Sequence, residues 1–247
     1  MRLAVVSDIH GNLPALEAVA AEIDAAGIKA VVNLGDTVAG PLWPLETAHW
    51  LMARRWPTLA GNHERQVLAA AGEALDADTL AARALDAPAR AWLAALPPAL
   101  VLDDGAIACC HGTPTSDVQY LLETVTAAGR RLASPAEIRA RIDPWPQAQV
   151  LLCGHSHLPR AVAVDGLLIV NPGSVGRPAY ADDHGHPHVV ETGSPHARWA
   201  VLARTGQGWQ VELRATAYDH EAAARRAIAQ GLSHWAHQLR TGRARPE

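Results

Sequence analysis

Leu59-Ala60-Gly61-Asn62-His63-Glu64 places an amide oxygen, an imidazole and a carboxylate at three consecutive positions, behind a glycine and a short apolar run. Alone, such a string is an ordinary turn, because turns collect polar residues. Four other polar clusters change its meaning, each closing a short apolar run. Ser7-Asp8-Ile9-His10 follows Leu3 to Val6, and Gly35-Asp36 follows Ala30 to Leu34. His111-Gly112 follows Ala106 to Cys110, and Gly154-His155-Ser156-His157 follows Val150 to Cys153. Apolar runs this short, rich in Val, Leu and Ile, read as buried strands. Between the first two lie Asn12 as a helix cap, a Leu16, Val19, Ala20, Ile23 stripe and Gly27 as a stop. Strand, helix, strand predicts a right-handed parallel crossover, and sites in such sheets form at the carboxyl ends of strands. Asp8 and His10, one residue apart, point the same way if the backbone stays extended.

Further along, Leu45 to Arg55 reads as a helix and Thr58 to Ala60 as a brief strand. From Glu64 an Ala- and Leu-rich stretch stays helical, with breaks, to Leu96, where Pro97-Pro98 stops it. Three hairpins are expected, turning at Asp103-Asp104-Gly105, Asp165-Gly166 and Thr205-Gly206-Gln207-Gly208. Asp117 to Ile142 reads as helical, His220 to Leu239 as one amphipathic helix, and residues 241–247 as a frayed tail. No linker or repeat interrupts the 247 residues, which read as a single domain, with 65–98 and 117–146 as lid elements over the site.

Hydrophobic residues make up 49% of the chain, so disorder is not the default reading, and a net charge of −4 argues against a nucleic-acid partner. No stretch has the roughly 18 uninterrupted apolar residues of a membrane span. Three cysteines, two of them adjacent, make no disulfide framework, so no disulfide partner is expected and a reducing cytoplasm fits. One lysine and no phenylalanine beside abundant Ala, Arg, Pro and Gly suggest a GC-rich bacterial genome.

The ordered series Asp-x-His, Gly-Asp, Gly-Asn-His-Glu, His, Gly-His-x-His, from Asp8 to His157, resembles the calcineurin-like metallophosphoesterase family. Asn171-Pro172-Gly173-Ser174 extends the likeness to the short bacterial phosphodiesterases of that family; otherwise it is a tight turn after a strand. The resemblance implies a four-layer α/β/β/α sandwich of two mixed β-sheets flanked by helices, with helical lid insertions. It implies two divalent metal ions, one held by Asp8, His10, Asp36 and His157, the other by Asp36, Asn62, His111 and His155, with Asp36 bridging. Imidazole, carboxylate and amide ligands without a thiolate set suit Mn or Fe, and also Zn. His63, outside both sets, is then the catalytic group that protonates or stabilises the leaving oxygen. Amides of the helix that begins near Glu64 would add donors to an anion.

The substrate implied is a small phosphoester, a phosphodiester or nucleotide-like phosphate; asymmetric cleavage of a dinucleoside polyphosphate is the alternative. From a different class comes a catalytically inactive binding or scaffold protein, which would have lost ligands that are all present here. Protein phosphatases and symmetrical diadenosine tetraphosphatases of the superfamily carry Asp-Arg-Gly soon after Gly-Asp and an Arg before Gly-Asn-His-Glu. Here Thr37-Val38-Ala39-Gly40 and Ala60 stand in those places, which leaves His63 without an identified orienting partner. Arg160 and Arg177 are the candidate substrate-binding cations. Glu64 is a helix-dipole carboxylate or a support for the site. His184-Gly185-His186-Pro187-His188 reads as a loose surface loop, and Trp43, Trp50 and Trp145 as core or lid filling. Native metal, physiological substrate and oligomeric state are not encoded in these patterns.

Overall fold

In a computed structural model, residues 1–142 and 147–244 are described. Strand β1 (Arg2–Val6) leads through helix α1 (Leu13–Ala25) to β2 (Ala30–Asn33), then α2 (Pro44–Arg54). Three short helices follow, α3 (Asn62–Ala69), α4 (Ala77–Ala84) and α5 (Ala87–Ala94). Next come β3 (Ala99–Leu102), β4 (Ile107–Cys110), β5 (Glu123–Thr126), β6 (Gly129–Leu132), α6 (Pro135–Ile142) and β7 (Val150–Leu152). The remainder runs β8 (Arg160–Val164), β9 (Leu167–Asn171), β10 (Ala179–Asp182), β11 (His188–Glu191), β12 (Ala197–Thr205), β13 (Gly208–Thr216), α7 (His220–Ala229) and α8 (Ser233–Thr241).

Two mixed sheets result, ordered β13-β12-β1-β2 and β3-β4-β7-β9-β8. β1 pairs parallel with β2 and antiparallel with β12; β4, β7 and β9 are mutually parallel. Strand periodicity sorts the side chains into layers. Leu3, Val5, Val32, Ile107, Cys109, Val150, Leu152, Ala200 and Leu202 form one core between the sheets. Their neighbours Ala4, Val6, Val31 and Val201 face outward against Leu16, Val19 and Ile23 of α1. On the far side Ala108, Cys110, Leu151 and Cys153 pack on Ile138 of α6. Each fully buried Leu or Val here contributes about 1.5–3 kcal/mol. The layering is that of the expected sandwich, and all three hairpins form where the turn residues placed them.

Several local expectations are corrected. Residues 117–142 are not one helical lid: β5 and β6 make a hairpin before α6. Thr124-Val125-Thr126 is β-branched throughout, and Gly129 takes the φ of +107° that closes the turn, so sheet chemistry prevails. Thr58 reaches Asn33 by an isolated parallel bridge without making a strand. The closing helix breaks at Gly231 (φ +83°) into α7 and α8. The expected fraying from residue 241 does not begin there, since α8 includes Thr241 and the Ala244 N–H donates to Glu191 at 2.8 Å. Trp145 and residues 245–247 lie outside the described residues. Trp50 packs edge-on against Trp56, and Trp43 packs beside Leu42 and Trp235.

Candidate metal centre

Beyond their last strand residues β1 and β2 remain stitched together. The Leu34 N–H donates to Val6 (2.9 Å), Asp8 to Gly35 (3.0 Å), His10 to Asp36 (3.0 Å) and Gly11 to Thr37 (2.9 Å). The backbone is not extended there, as the Asp8–His10 spacing suggested. Asp8, His10 and Asp36 have φ of 56°, 52° and 55°, and His155 and His157 on the second sheet have 64° and 55°. Left-handed conformations in non-glycine residues cost about 1–3 kcal/mol where the chain is strained into them, and they cluster at functional sites.

Neighbouring groups hold these turns. The buried Glu64 carboxylate accepts from the N–H groups of Asp36 (2.9 Å), Thr37 (2.7 Å) and Gly61 (2.7 Å), and from the Thr37 hydroxyl (2.7 Å). Its role is to clamp the Asp36 turn to the start of α3. The Gly61 and His63 N–H groups are spent on Glu64 and on Asp36 Oδ1 (2.9 Å), which withdraws them from the expected amide cradle for an anion. A Cβ at Gly61 would run into the Asp36 carboxylate and the His111 ring, so only glycine fits. From β9, Asn171 Nδ2 donates to the Gly154 carbonyl (2.7 Å) and Ser156 Oγ (3.1 Å), and Ser174 Oγ donates to the Asp8 carbonyl (2.8 Å). The Asn171-to-Ser174 segment therefore ties the two ligand turns together.

These constraints bring the predicted residues to one place. Ligand atoms of Asp8, His10, Asp36 and His157 lie within 4.8 Å of one another, and so do those of Asp36, His111 and His155. Asp36 belongs to both groups, and Asn62 Oδ1 lies 3.1 Å from His111 Nε2. His10, His111 and His157 donate Nδ1–H to the carbonyls of Ala39 (2.9 Å), Leu34 (2.7 Å) and Arg177 (2.7 Å), leaving each Nε2 turned inward. That is how proteins prepare imidazoles to hold a metal.

Electrostatics point the same way. Both Asp8 carboxylate oxygens are buried without a hydrogen-bond partner, although His157 Nε2 stands 3.2 Å from one of them. Burial alone would raise the Asp36 carboxyl, but His111, His63 and His10 outweigh it and hold it well below its usual range. Burial would depress His111, yet Asp36 and Asp8 push it up to about 10. Burial and His111 together drive His155 down to about 4. A buried, partnerless carboxylate among inward-facing ring nitrogens fits a divalent metal pair, and the donor set excludes a thiolate site. The three cysteines are free and buried, and Cys110 donates to the Gly112 and Leu152 carbonyls.

A cleft of about 380 Å³ opens over Asp36, Asn62, His63, His155 and His157, rimmed by Arg177, Tyr180, Asp182, Asp183 and His184. Two arginines expected as equals are separated. Arg177 lines the cleft, its guanidinium stacked 4.2 Å over Trp235 and its Nε unpartnered. Arg160 is instead committed to the buried Glu123 at 2.6 Å and does not line the cleft. His63 finds the partner the sequence did not identify: Asp78 Oδ1, in the first turn of α4, is 2.6 Å from His63 Nδ1. Burial would lower His63, but Asp36 and the Asp78 hydrogen bond raise it. The loose-loop reading holds for residues 184–187, which are exposed and outside any strand, with His184 at the rim of the cleft; it fails at His188, buried in β11 against Tyr120. Sequence reasoning missed Asp78, Tyr120, Tyr180 and Trp235. The available signal for Asp78 was its place just after Asp76, the residue that caps α4.

The model of the calcineurin-like phosphoesterase superfamily domain matches residues 1–195. An uncharacterized protein of Methanocaldococcus jannaschii, MJ0912, is 41% identical over 66 residues, which is 27% of this chain and 27% of that protein. The crystal structure of a metallophosphoesterase from Sphaerobacter thermophilus superposes with a TM-score of 0.76 at 24% identity, covering 98% of this chain and 99% of the other. The hypothetical protein PH1004 from Pyrococcus horikoshii gives 0.74 at 20% identity, covering 98% of each. Both likenesses concern the fold.

Proposed function

Because the chain belongs to the calcineurin-like phosphoesterase superfamily, we propose that it hydrolyses a phosphodiester by a two-metal mechanism. Asp8, His10, Asp36 and His157 would hold one ion, and Asp36, Asn62, His111 and His155 the other. The observation that carries the reading is Asp36, whose carboxylate belongs to both ligand groups and is reached by His111 Nε2 at 3.1 Å. A divalent pair supplies Lewis-acid charge and an acidified water there. No membrane-spanning helix occurs among the described residues. A cytoplasmic enzyme using Mn or Fe is part of the same proposal.

The chain's own groups divide the remaining work. Arg177 would meet the anion across the cleft, its guanidinium held by stacking on Trp235. His63, 20% exposed at the cleft, holds a proton on Nε2 for the leaving oxygen while Nδ1 is fixed by Asp78. With Arg160 withdrawn, Arg177 is the one arginine at the cleft among the described residues, which suits the single charge of a diester better than a monoester dianion. Asp182 and Asp183 at the rim oppose further phosphates, which disfavours a dinucleoside polyphosphate.

With Mn supplied, bis-p-nitrophenyl phosphate is therefore expected to show a higher kcat/KM than p-nitrophenyl phosphate. A clear monoester preference in side-by-side kinetics would overturn the diester assignment and leave the metal centre standing. Asp78→Asn keeps the shape and removes the charge behind His63. Its kcat should fall about 10- to 100-fold with both metals retained, because a mispositioned acid loses part of the usual 10²–10⁴ effect. Unchanged kcat would remove Asp78 from the mechanism.

A further inference from the structure

Behind His155 and His157 lies a buried chain of polar groups that belongs to neither candidate ligand set. Tyr180 OH donates to the His155 carbonyl at 3.1 Å and lies 2.7 Å from Tyr120 OH. Tyr120 OH is 3.0 Å from His188 Nε2, and His188 Nδ1 is 2.8 Å from the His186 carbonyl. The same two rings back the ligands themselves. Tyr120 packs on His155 with ring centroids 5.1 Å apart, and Tyr180 on His157 at 4.7 Å. Both ligands have left-handed backbones, so something must hold their turn against relaxation.

Hydrogen counting gives the chain a direction. Both ends are carbonyl oxygens, which only accept. Four contacts therefore need four hydrogens, while two phenols and a neutral imidazole supply one each, three in all. A neutral ring with its proton on Nε2 supplies all three contacts from His188 to His155 and leaves only the part-buried His186 end without a hydrogen. Every donor from His188 Nε2 onward then points towards His155. Burial raises both phenols above their ordinary range, so each keeps its proton at neutral pH.

We propose that Tyr120, Tyr180 and His188 are positioning residues: a one-way hydrogen-bond chain, starting from the Nε2–H of His188, braces the His155-Ser156-His157 turn in its ligating shape. Asp182 sits directly across from His188 in the β10–β11 pairing. Arg130 of β6 donates from Nε to the neighbouring Val189 carbonyl. Glu123, Arg141 and His184 line the small cavity on the same side. The proposal rests on the metal-centre reading, and its test does not rely on hydrolysis.

Mn²⁺ binding to metal-stripped protein, measured by calorimetry, should weaken about 10- to 100-fold in Tyr180→Phe, the usual effect of removing a group behind a ligand. Tyr120→Phe should follow it and serves if Tyr180→Phe does not fold. An affinity within twofold of the wild type in the folded variant overturns the brace. Long-range ¹H–¹⁵N spectra at pH 7, with His188 identified by its loss in His188→Gln, should show a proton on Nε2. A bare Nε2 overturns the direction of the chain. In Tyr180→Phe the Tyr120 hydroxyl is free to donate to His188 Nε2, so the ring proton should move to Nδ1, where the His186 carbonyl accepts it. A purely structural tyrosine would lower Tm without moving that proton. Wild-type protein that binds no Mn²⁺ refutes the metal centre instead, and the spectra still decide the brace.

Discussion

Asp36→Asn should leave the purified protein with far fewer than two metal ions per chain and with hydrolysis reduced at least as much as metal content. The argument is geometric. Asp36 is the one side chain common to both ligand groups, and His111 Nε2 stands 3.1 Å from its carboxylate. Asparagine keeps the size and one oxygen, so the His63 N–H retains an acceptor and the turn keeps its shape. What is lost is the charge that would bind two cations at once, in an interior where its removal is most costly. Elemental analysis beside the wild type is the measurement. Two tightly held metals in the variant would sink the bridging assignment.

His63→Ala separates binding from chemistry. The ring belongs to neither ligand group, so metal content should stay at the wild-type value while kcat falls about 10²–10⁴-fold. The loss should shrink as the leaving group becomes more acidic, because such a group departs without a proton. A series of aryl phosphodiesters of graded leaving-group acidity reads this directly. Equal losses along the series would assign His63 to phosphate binding, and loss of metal would place it among the ligands. Asp78→Asn should bend the same series in the same sense and less steeply, since it leaves the ring in place.

The layers of the fold were legible because buried strands in a sandwich are short apolar runs, and Leu3 to Val6 and Val150 to Cys153 carry nothing else. The candidate ligands were legible because each closes such a run. Where reading failed, the deciding interaction was distant in the chain or local but cross-strand. Nothing near His63 signals that Asp78 will reach it from another helix. Arg160 and Arg177 look alike until Glu123, a buried carboxylate 37 residues away, claims one of them. The stretch 117–142 contains helix formers, yet its β-branched Thr124-Val125-Thr126 pairs across Gly129. His188 reads as part of the exposed loop before it because the alternating burial of β11, with His188 and Val190 inward, appears only once β10 lies beside it.

Sheet order also governs how the molecule can come into being. β1 lies between β2, which follows it closely, and β12, which does not exist until residue 205 has been synthesised. On the ribosome β1 thus waits with one edge bare until β12 has emerged. Contacts this remote in sequence make folding slow and expose unpaired edges meanwhile. His155 and His157 arrive only in the second half of the chain. The nascent polypeptide can gather Asp8, His10 and Asp36 early, but it cannot close a ligand shell around a metal before the second sheet has docked. With the proposed ligands, metal loading would therefore be a late event, and a chain cut short before β12 should emerge as an aggregating fragment instead of a weakened enzyme.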